Sequence, residues 1–277
     1  MNGTVMTERQ SGMEISASGI APPSELLERP IGELLHDNRL DGMGSATQQI
    51  YRLLHGLIVN LRLLPNQMLS INEVAEHLNI SKTPIREAFI RLAEDGLVNI
   101  VPKKGTFVAP IDIQKAFEGY FIRISLESAC AAFLARKGTP DAFAALREEL
   151  ARQESCVERG DADAFYILDN RFHAAMFDVA GLSNTRRLVD GAKAEVDRIK
   201  GLKSIYRVCR PDEVLFREHT DIYKAIENGD VQKAKELIRH HLTGMNEAIQ
   251  AIAKEDRLWG MVKTINQGVK IPRQLMG

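Results

Sequence analysis

The sequence predicts a mainly α fold, with an N-terminal winged helix-turn-helix followed by a C-terminal antiparallel all-α helical bundle. Three observations predict it. Between residues 47 and 110, three short helical patterns run into two β-capable segments joined by Pro102-Lys103-Lys104-Gly105. From Asp112 to Arg257, apolar residues recur at helical spacing and are interrupted by Gly, Asp and Pro. The 277 residues, 44% of them hydrophobic, suffice for about two domains. The expected boundaries are a poorly ordered N-terminal extension over 1–45, the winged unit over 46–110, the helical unit over 111–258 and a tail over 259–277.

The extension is rich in Ser, Thr and Gly from Met1 to Gly19, without periodicity, and such a segment cannot offset its ordering entropy. Ser24 to Leu35 carries a weak helical pattern interrupted by Pro30, equally consistent with a short packed helix and with more of the extension. From Thr47 the pattern sharpens: Ile50, Leu53, Leu54, Leu57, Ile58 and Leu61 make one helical face, and Leu64-Pro65-Asn66 stops it. Ser70 caps a second helix, with Glu73 placed to complete a capping box, and Val74, Ala75 and Leu78 form its apolar face. Asn79 suits the left-handed residue of a tight turn. Ser81 caps a third helix with Pro84 in its first turn, and Ile85, Ala88, Phe89 and Leu92 give it a buried side until Gly96 ends it. Leu97–Val101 and Thr106–Ala109 then read as the two strands of a wing.

Charge narrows the function. Net charge is -1, from 36 basic and 37 acidic residues, so the chain is no general polyanion binder and nucleic-acid contact requires a local basic surface. Lys82 and Arg86 open the third helix and Lys103 and Lys104 sit at the wing tip, which is where a recognition helix meets bases and a wing meets phosphate. The candidate DNA-binding residues are therefore Ser81, Lys82, Thr83, Arg86, Lys103, Lys104 and Gly105; a solvated charged face is the alternative for any one lysine. Cys130, Cys156 and Cys209 are odd in number and lack a C-x-x-C, which excludes a disulfide framework and fits a reducing compartment. The longest wholly apolar run, Ala129 to Ala135, is far short of the roughly 20 residues of a membrane span, and no secretory signal is expected in the first twenty residues.

Six helices are expected in the second half: Asp112–Lys137, Thr139–Arg159, Asp161–Ala180, Ser183–Tyr206, Pro211–Asn228 and Asp230–Arg257. Polar residues fall where their apolar stripes predict core. Asp169 and His173, four apart, share a face with Phe165, Leu168, Phe172 and Met176; His219 shares one with Leu215, Ile222 and Ile226; His241 shares one with Ala234, Ile238 and Met245. His240 points with Lys233 and Glu236 toward solvent. A single inward histidine is more often a hydrogen-bonded core residue, but four coincident positions favour a divalent metal site, since a bare buried carboxylate is costly. Imidazole with carboxylate suits zinc foremost, or nickel, iron or manganese. Such a centre could also activate water in a metal-dependent enzyme, yet there is no H-E-x-x-H, no paired E-x-x-H and no G-x-S-x-G. A winged-helix scaffold that binds protein is a third reading.

The stretch from Leu63 to Val108, above all Ser81-Lys82-Thr83-Pro84-Ile85-Arg86-Glu87-Ala88, resembles the DNA-binding domain of the GntR family of bacterial transcription regulators. Asn66 replaces the family's usual turn Gly, Lys82 its usual Arg, and Asn72 stands where many relatives carry a DNA-contacting Arg. Asp169-x-x-x-His173, His219 and His241 match the metal pattern of the FCD ligand-binding domain of the FadR-like subfamily, and six helices resemble its VanR-type branch. The resemblance implies a cytoplasmic homodimer on a palindromic double-stranded DNA operator, not an enzyme, regulated by a small carboxylate effector. Arg123 and Glu127 match the family's R-x-x-x-E and are the candidate effector-binding residues; a buried Arg123–Glu127 helix pair is the alternative. Repression and activation stay equally open.

Overall fold

The computed structural model describes residues 29–36, 40, 43–205, 210–253 and 266. The Met1–Gly19 leader, the first part of the Ser24–Leu35 pattern, the helix ends expected at Tyr206 and Arg257, and all of the tail but Asn266 lie outside the described residues.

The N-terminal unit runs α1 (Ile31–His36), α2 (Ala46–Val59), β1 (Met68–Leu69), α3 (Ile71–Leu78), α4 (Lys82–Glu94), β2 (Val98–Val101) and β3 (Gly105–Val108). Local chemistry sets each boundary. The full capping box forms at α2, where Ser45 Oγ accepts from Gln48 N at 3.2 Å and Gln48 Oε1 accepts from Ser45 N at 3.3 Å. At α3, Ser70 Oγ accepts from Glu73 N, and Asn79 ends the helix in the left-handed region at φ 51°. Ile50, Leu54 and Ile58 of α2 close a core with Val74 of α3 and Ile85, Phe89 and Leu92 of α4. Two polar ties fix α2 against α4: Thr47 Oγ1 donates to Glu87 and Tyr51 OH donates to Asp95.

Two features differ from expectation. The wing has a third strand, in the order β1-β3-β2, with Met68 opposite Phe107. Its two residues are too few to carry a period-2 signal, and they are placed by the turn at Asn66, which adopts φ 66° and donates its N–H to Val108 O. Asn66 thus takes the left-handed conformation for which Gly is usual. Within the segment expected to be poorly ordered, α1 is packed: Ile31, Leu34 and Leu35 are buried against α3 in the same core, and Gln67 Nε2 donates to Arg29 O. An apolar triplet at i, i+3, i+4 outweighs the interruption at Pro30, which simply precedes the first turn.

The helical unit comprises α5 (Ile113–Lys137), α6 (Pro140–Arg159), α7 (Ala162–Val179), α8 (Ser183–Ala192), α9 (Ala194–Ile205), α10 (Asp212–Glu227) and α11 (Val231–Ala253). Asp112, Thr139 and Asp161 cap α5, α6 and α7 through their side chains. α11 lies along α5, and α6 packs on α7 and α10. The six helices expected here are seven among the described residues, because the fourth breaks at Lys193 into α8 and α9. Gly191 weakens the helix there, and the break turns Ala194 into the N-terminal core while Val196, Ile199 and Leu202 stay in the bundle core. No helix among the described residues is long and apolar enough to cross a membrane.

The break also sets a close approach. A Cβ on Gly119 of α5 would stand 2.2 Å from Ala192 O, whereas one on Gly191 would meet nothing within 4 Å. Gly119→Ala is therefore expected to destabilise by about 1–3 kcal/mol through overpacking. Gly191→Ala should stabilise by about 0.5–1 kcal/mol through helix propensity. Urea denaturation of the two variants checks both signs.

Candidate functional site

The surface expected to face DNA comprises α4 and the wing. Lys82, Thr83 and Arg86 are exposed on α4, Ser81 is exposed at its N-cap, and Ile85, Ala88 and Phe89 anchor the opposite face. The Ser81 hydroxyl makes no capping hydrogen bond, so it stays available at a helix N-terminus where an anion is favoured. Lys103 and Lys104 project from the wing tip, with Lys103 at φ 62° and Gly105 at φ 127° completing the hairpin. All seven residues named from the sequence are exposed, four at the start of α4 and three at the wing tip.

The second site lies inside the bundle. Asp169 and His173 from α7, His219 from α10 and His241 from α11 are buried, with one potential ligand atom from each within 4.8 Å of the others. His241 Nε2 stands 3.1 Å from His219 Nε2 and 3.2 Å from His173 Nε2, and Asp169 Oδ1 is 3.5 Å from His219 Nε2. Metal–nitrogen bonds of about 2.0–2.1 Å put adjacent ligand nitrogens roughly 3 Å apart, so the spacing fits a divalent ion. His240, by contrast, is 72% exposed.

The outer nitrogens explain why the inner ones converge. His219 Nδ1 meets Gln153 Oε1 at 2.8 Å and His241 Nδ1 meets Glu218 Oε2 at 2.8 Å. His173 Nδ1 lies 2.7 Å from Glu127 Oε2. Oxygen acceptors beside the Nδ1 atoms favour the tautomer that leaves Nε2 lone pairs facing inward, as in carboxylate–histidine–metal arrangements. These four residues could hold a metal, and the donor chemistry fits one.

Each carboxylate touching the cluster is backed by a cation: Asp169 by Lys200 at 2.6 Å, Glu127 by Arg123 at 2.7 Å, and Glu218 by Arg210. Burial disfavours the charged form of Asp169, but Lys200 and the three imidazoles hold its carboxyl well below the usual range. Glu127 is likewise held down against burial, by Arg123 and His173. Burial is the leading cause that lowers the pKa of His219 and His241. Arg123 and Glu127 do form the buried i, i+4 pair, and among the described residues Arg123 Nη1 has no hydrogen-bond partner. Sequence reasoning missed Gln153, Glu218 and Lys200. Gln153 carried a signal, a polar residue in the stripe of Leu146 and Leu150; the other two depend on neighbours distant in sequence.

Two family models match the chain: "Bacterial regulatory proteins, gntR family" over residues 46–108 and "FCD domain" over 118–244. The HTH-type transcriptional repressor RspR of Escherichia coli K12 is 33% identical over 223 residues, covering 80% of this chain and 97% of the relative. The chain belongs to the GntR family. It carries an FCD domain, and its domains and relatives are those of a transcription regulator, not of an enzyme. A regulator from an unstable DNA locus of Streptomyces ambofaciens is 32% identical over 205 residues, 74% of this chain and 85% of the relative. Among solved structures, E. coli McbR/YncC superposes with a TM-score of 0.65 at 20% identity, covering 75% of this chain and 98% of that one. A putative GntR regulator from Rhodococcus sp. RHA1 gives 0.62 at 23%, covering 75% and 99%. Both share the fold.

The depressed histidines have a consequence for stability. Unfolded histidines take up protons near pH 6.5, which buried His219 and His241 resist, so the unfolded state binds more protons below about that pH. In chelator, the thermal midpoint is expected to fall as pH drops from about 7.5 to 5.5, with His55, also lowered by burial, adding the same sign. A midpoint that holds steady across this range, followed by circular dichroism, would show that the imidazoles are already charged in the fold.

Proposed function

We propose that the chain is a cytoplasmic, homodimeric regulator that binds an inverted-repeat operator and whose bundle holds a divalent metal ion and senses a small organic acid. The observation that carries the reading is the inward convergence of three imidazole nitrogens and one carboxylate. Asp169, His173, His219 and His241 would be the ligands, with Glu127, Gln153 and Glu218 orienting the imidazoles. When bound, the metal supplies positive charge and open coordination positions to an anionic ligand.

Charge arithmetic supports a carboxylate. Asp169, Glu127 and Glu218 are balanced by Lys200, Arg123 and Arg210, so the site is formally neutral with neutral imidazoles. A divalent ion leaves this surrounding with excess positive charge, which an organic acid offsets. Arg123 adds an unused buried donor, Nη1, at a small cavity shared with Asn170, His173 and Lys193. Phe117 and Phe121, one turn apart on α5 and 39% and 63% exposed, support a homodimer contact on that helix.

On DNA, α4 would enter the major groove, once per half-site of the dimer. Arg86→Ala is expected to weaken operator binding by about 1–3 kcal/mol, and Lys104→Ala to weaken specific and random duplex alike while flattening the salt slope by about 1. Titrations at several salt concentrations check both, and wild-type behaviour in two folded variants would remove this surface from the interface.

The metal is tested at the adjacent histidines. His241→Ala should lose metal on dialysis while His240→Ala retains it, read by elemental analysis of the full-length protein. Equal metal content in the two variants would overturn the proposed ligand set. A thermal-shift screen of carboxylic acids on the metal-loaded wild type then identifies the effector.

A further inference from the structure

We infer that α9 couples the Asp169 cluster to the DNA-binding domain, and that Arg198 and Glu195 are positioning residues through which it holds the linker between the two domains. The inference rests on the sensing role proposed above and names the path it takes.

α9 is the helix common to both cores. Ala194 packs in the core of the winged domain, whereas Val196, Ile199 and Leu202 pack in that of the bundle. Gly201 lies over the end of α2, where a Cβ would stand 3.5 Å from Val59 O. Between the domains the chain passes from β3 to α5 through residues 109–112, and α9 grips this linker by its main chain. Arg198 Nη2 donates to Ala109 O at 2.7 Å, and Nη1 donates to Pro110 O at 3.3 Å and to Glu195 Oε1 at 3.0 Å. Glu195 Oε2 accepts from Asp112 N at 3.2 Å. Three linker residues are thus held by one ion pair.

The choice of residues is informative. Arg198 is fully buried and Glu195 nearly so, although an apolar pair of similar volume would fill the space without desolvating two charges. What the charged pair adds is direction: a guanidinium and a carboxylate fix the orientation of main-chain carbonyls and an amide as apolar contacts cannot. Two residues beyond Arg198, and therefore on the opposite side of the helix, Lys200 reaches 2.6 Å from Asp169 Oδ2. One side of α9 holds the linker while the other holds the carboxylate of the candidate metal site. Asp112 is also the N-cap of α5, the helix that carries Arg123 and Glu127. A change at Asp169 that moves Lys200 moves Arg198 on the same rigid turn.

The test uses full-length protein, zinc against chelator, and a duplex selected from random DNA with the wild type. Allosteric coupling typically spans about 5–150-fold, so wild-type affinity should differ at least about fivefold between the two states. In Arg198→Met/Glu195→Gln, which removes both charges together, that ratio should collapse to within about twofold while zinc content is kept. Glu195→Gln alone, the milder change, should give an intermediate ratio and covers the case in which the double variant does not fold. Hydrogen exchange at the Asp112 amide gives a second readout: in wild type it should change between zinc and chelator, and in the variants it should be fast in both. If wild type responds and a folded variant responds equally, the coupling role of the clamp is overturned and the sensing role stands. If wild type binds DNA alike in both states, the cluster is not coupled to the DNA-binding domain and this inference is overturned, whereas the acid-sensing role is decided separately by the carboxylic-acid screen.

Discussion

Three buried imidazoles that bring their Nε2 atoms together, that of His241 standing 3.1 Å from that of His219 and 3.2 Å from that of His173, are the constraint around which the bundle is organised. Inward lone pairs would not attract one another, so what stands behind each ring matters. Gln153 on α6 and Glu218 on α10 bond the outer nitrogens of His219 and His241, and Glu127 on α5 lies against that of His173. Each carboxylate in turn has a cation behind it, and those cations come from α5, α9 and the segment before α10. The cluster therefore engages α5, α6, α7, α9, α10 and α11 in one polar network, within a core otherwise built of Phe172, Met176, Ile222 and Ile238. A network so connected is sensitive to any change at its centre, because removing one partner leaves another buried polar group unpaired.

The same logic explains the break between α8 and α9. A single helix from Ser183 onward would present one continuous face, but two demands fall on it: α8 packs beside α5, and α9 must serve both cores. Breaking at Lys193 satisfies both. The side chain of Lys193 then lies near Asn170, Asp190 and Asp197, which places a positive group over the start of α9 rather than along a straight helix. Gly119 completes the arrangement by letting α5 approach the main chain at Ala192.

What could be read from the sequence was what local chemistry decides. Ser70, Asn79 and Pro84 marked the helix-turn-helix because caps and left-handed turns depend on a few neighbouring residues. Asp169, His173, His219 and His241 could be placed inward because a polar residue in an apolar stripe has a register. The remainder needed tertiary contacts. Strand β1 has two residues and exists because β3 is beside it. Lys200 and Arg198 lie beyond the break at Lys193, so a register carried through an unbroken helix could not show which way they face. Glu218 has no stripe to betray it; it is a carboxylate beside a histidine until Arg210 and His241 fold against it.

The cavity beside Arg123 measures about 10 Å³, room for roughly one water, so an organic acid cannot enter this arrangement without moving its walls. The walls are not equally resistant. Arg123 and Glu127 are both buried, and separating such a pair costs about 3–5 kcal/mol. On the α7–α8 side, Arg186 pairs with Asp178 and Asp190, whose side chains all stay partly exposed, and pairs open to solvent contribute about 0–1 kcal/mol. Outside them lies an open groove of about 490 Å³ that shares Asn170, Arg186, Asp190 and Lys193 with the inner cavity. The path of least resistance therefore runs between α7 and α8, past Arg186, to an Arg123 already fixed in place. The proposed acid, bound there, would act on DNA binding only by its different affinity for the closed and opened arrangements. An opening between α7 and α8 would displace α8, which in sequence only Lys193 separates from α9, the helix that grips the interdomain linker.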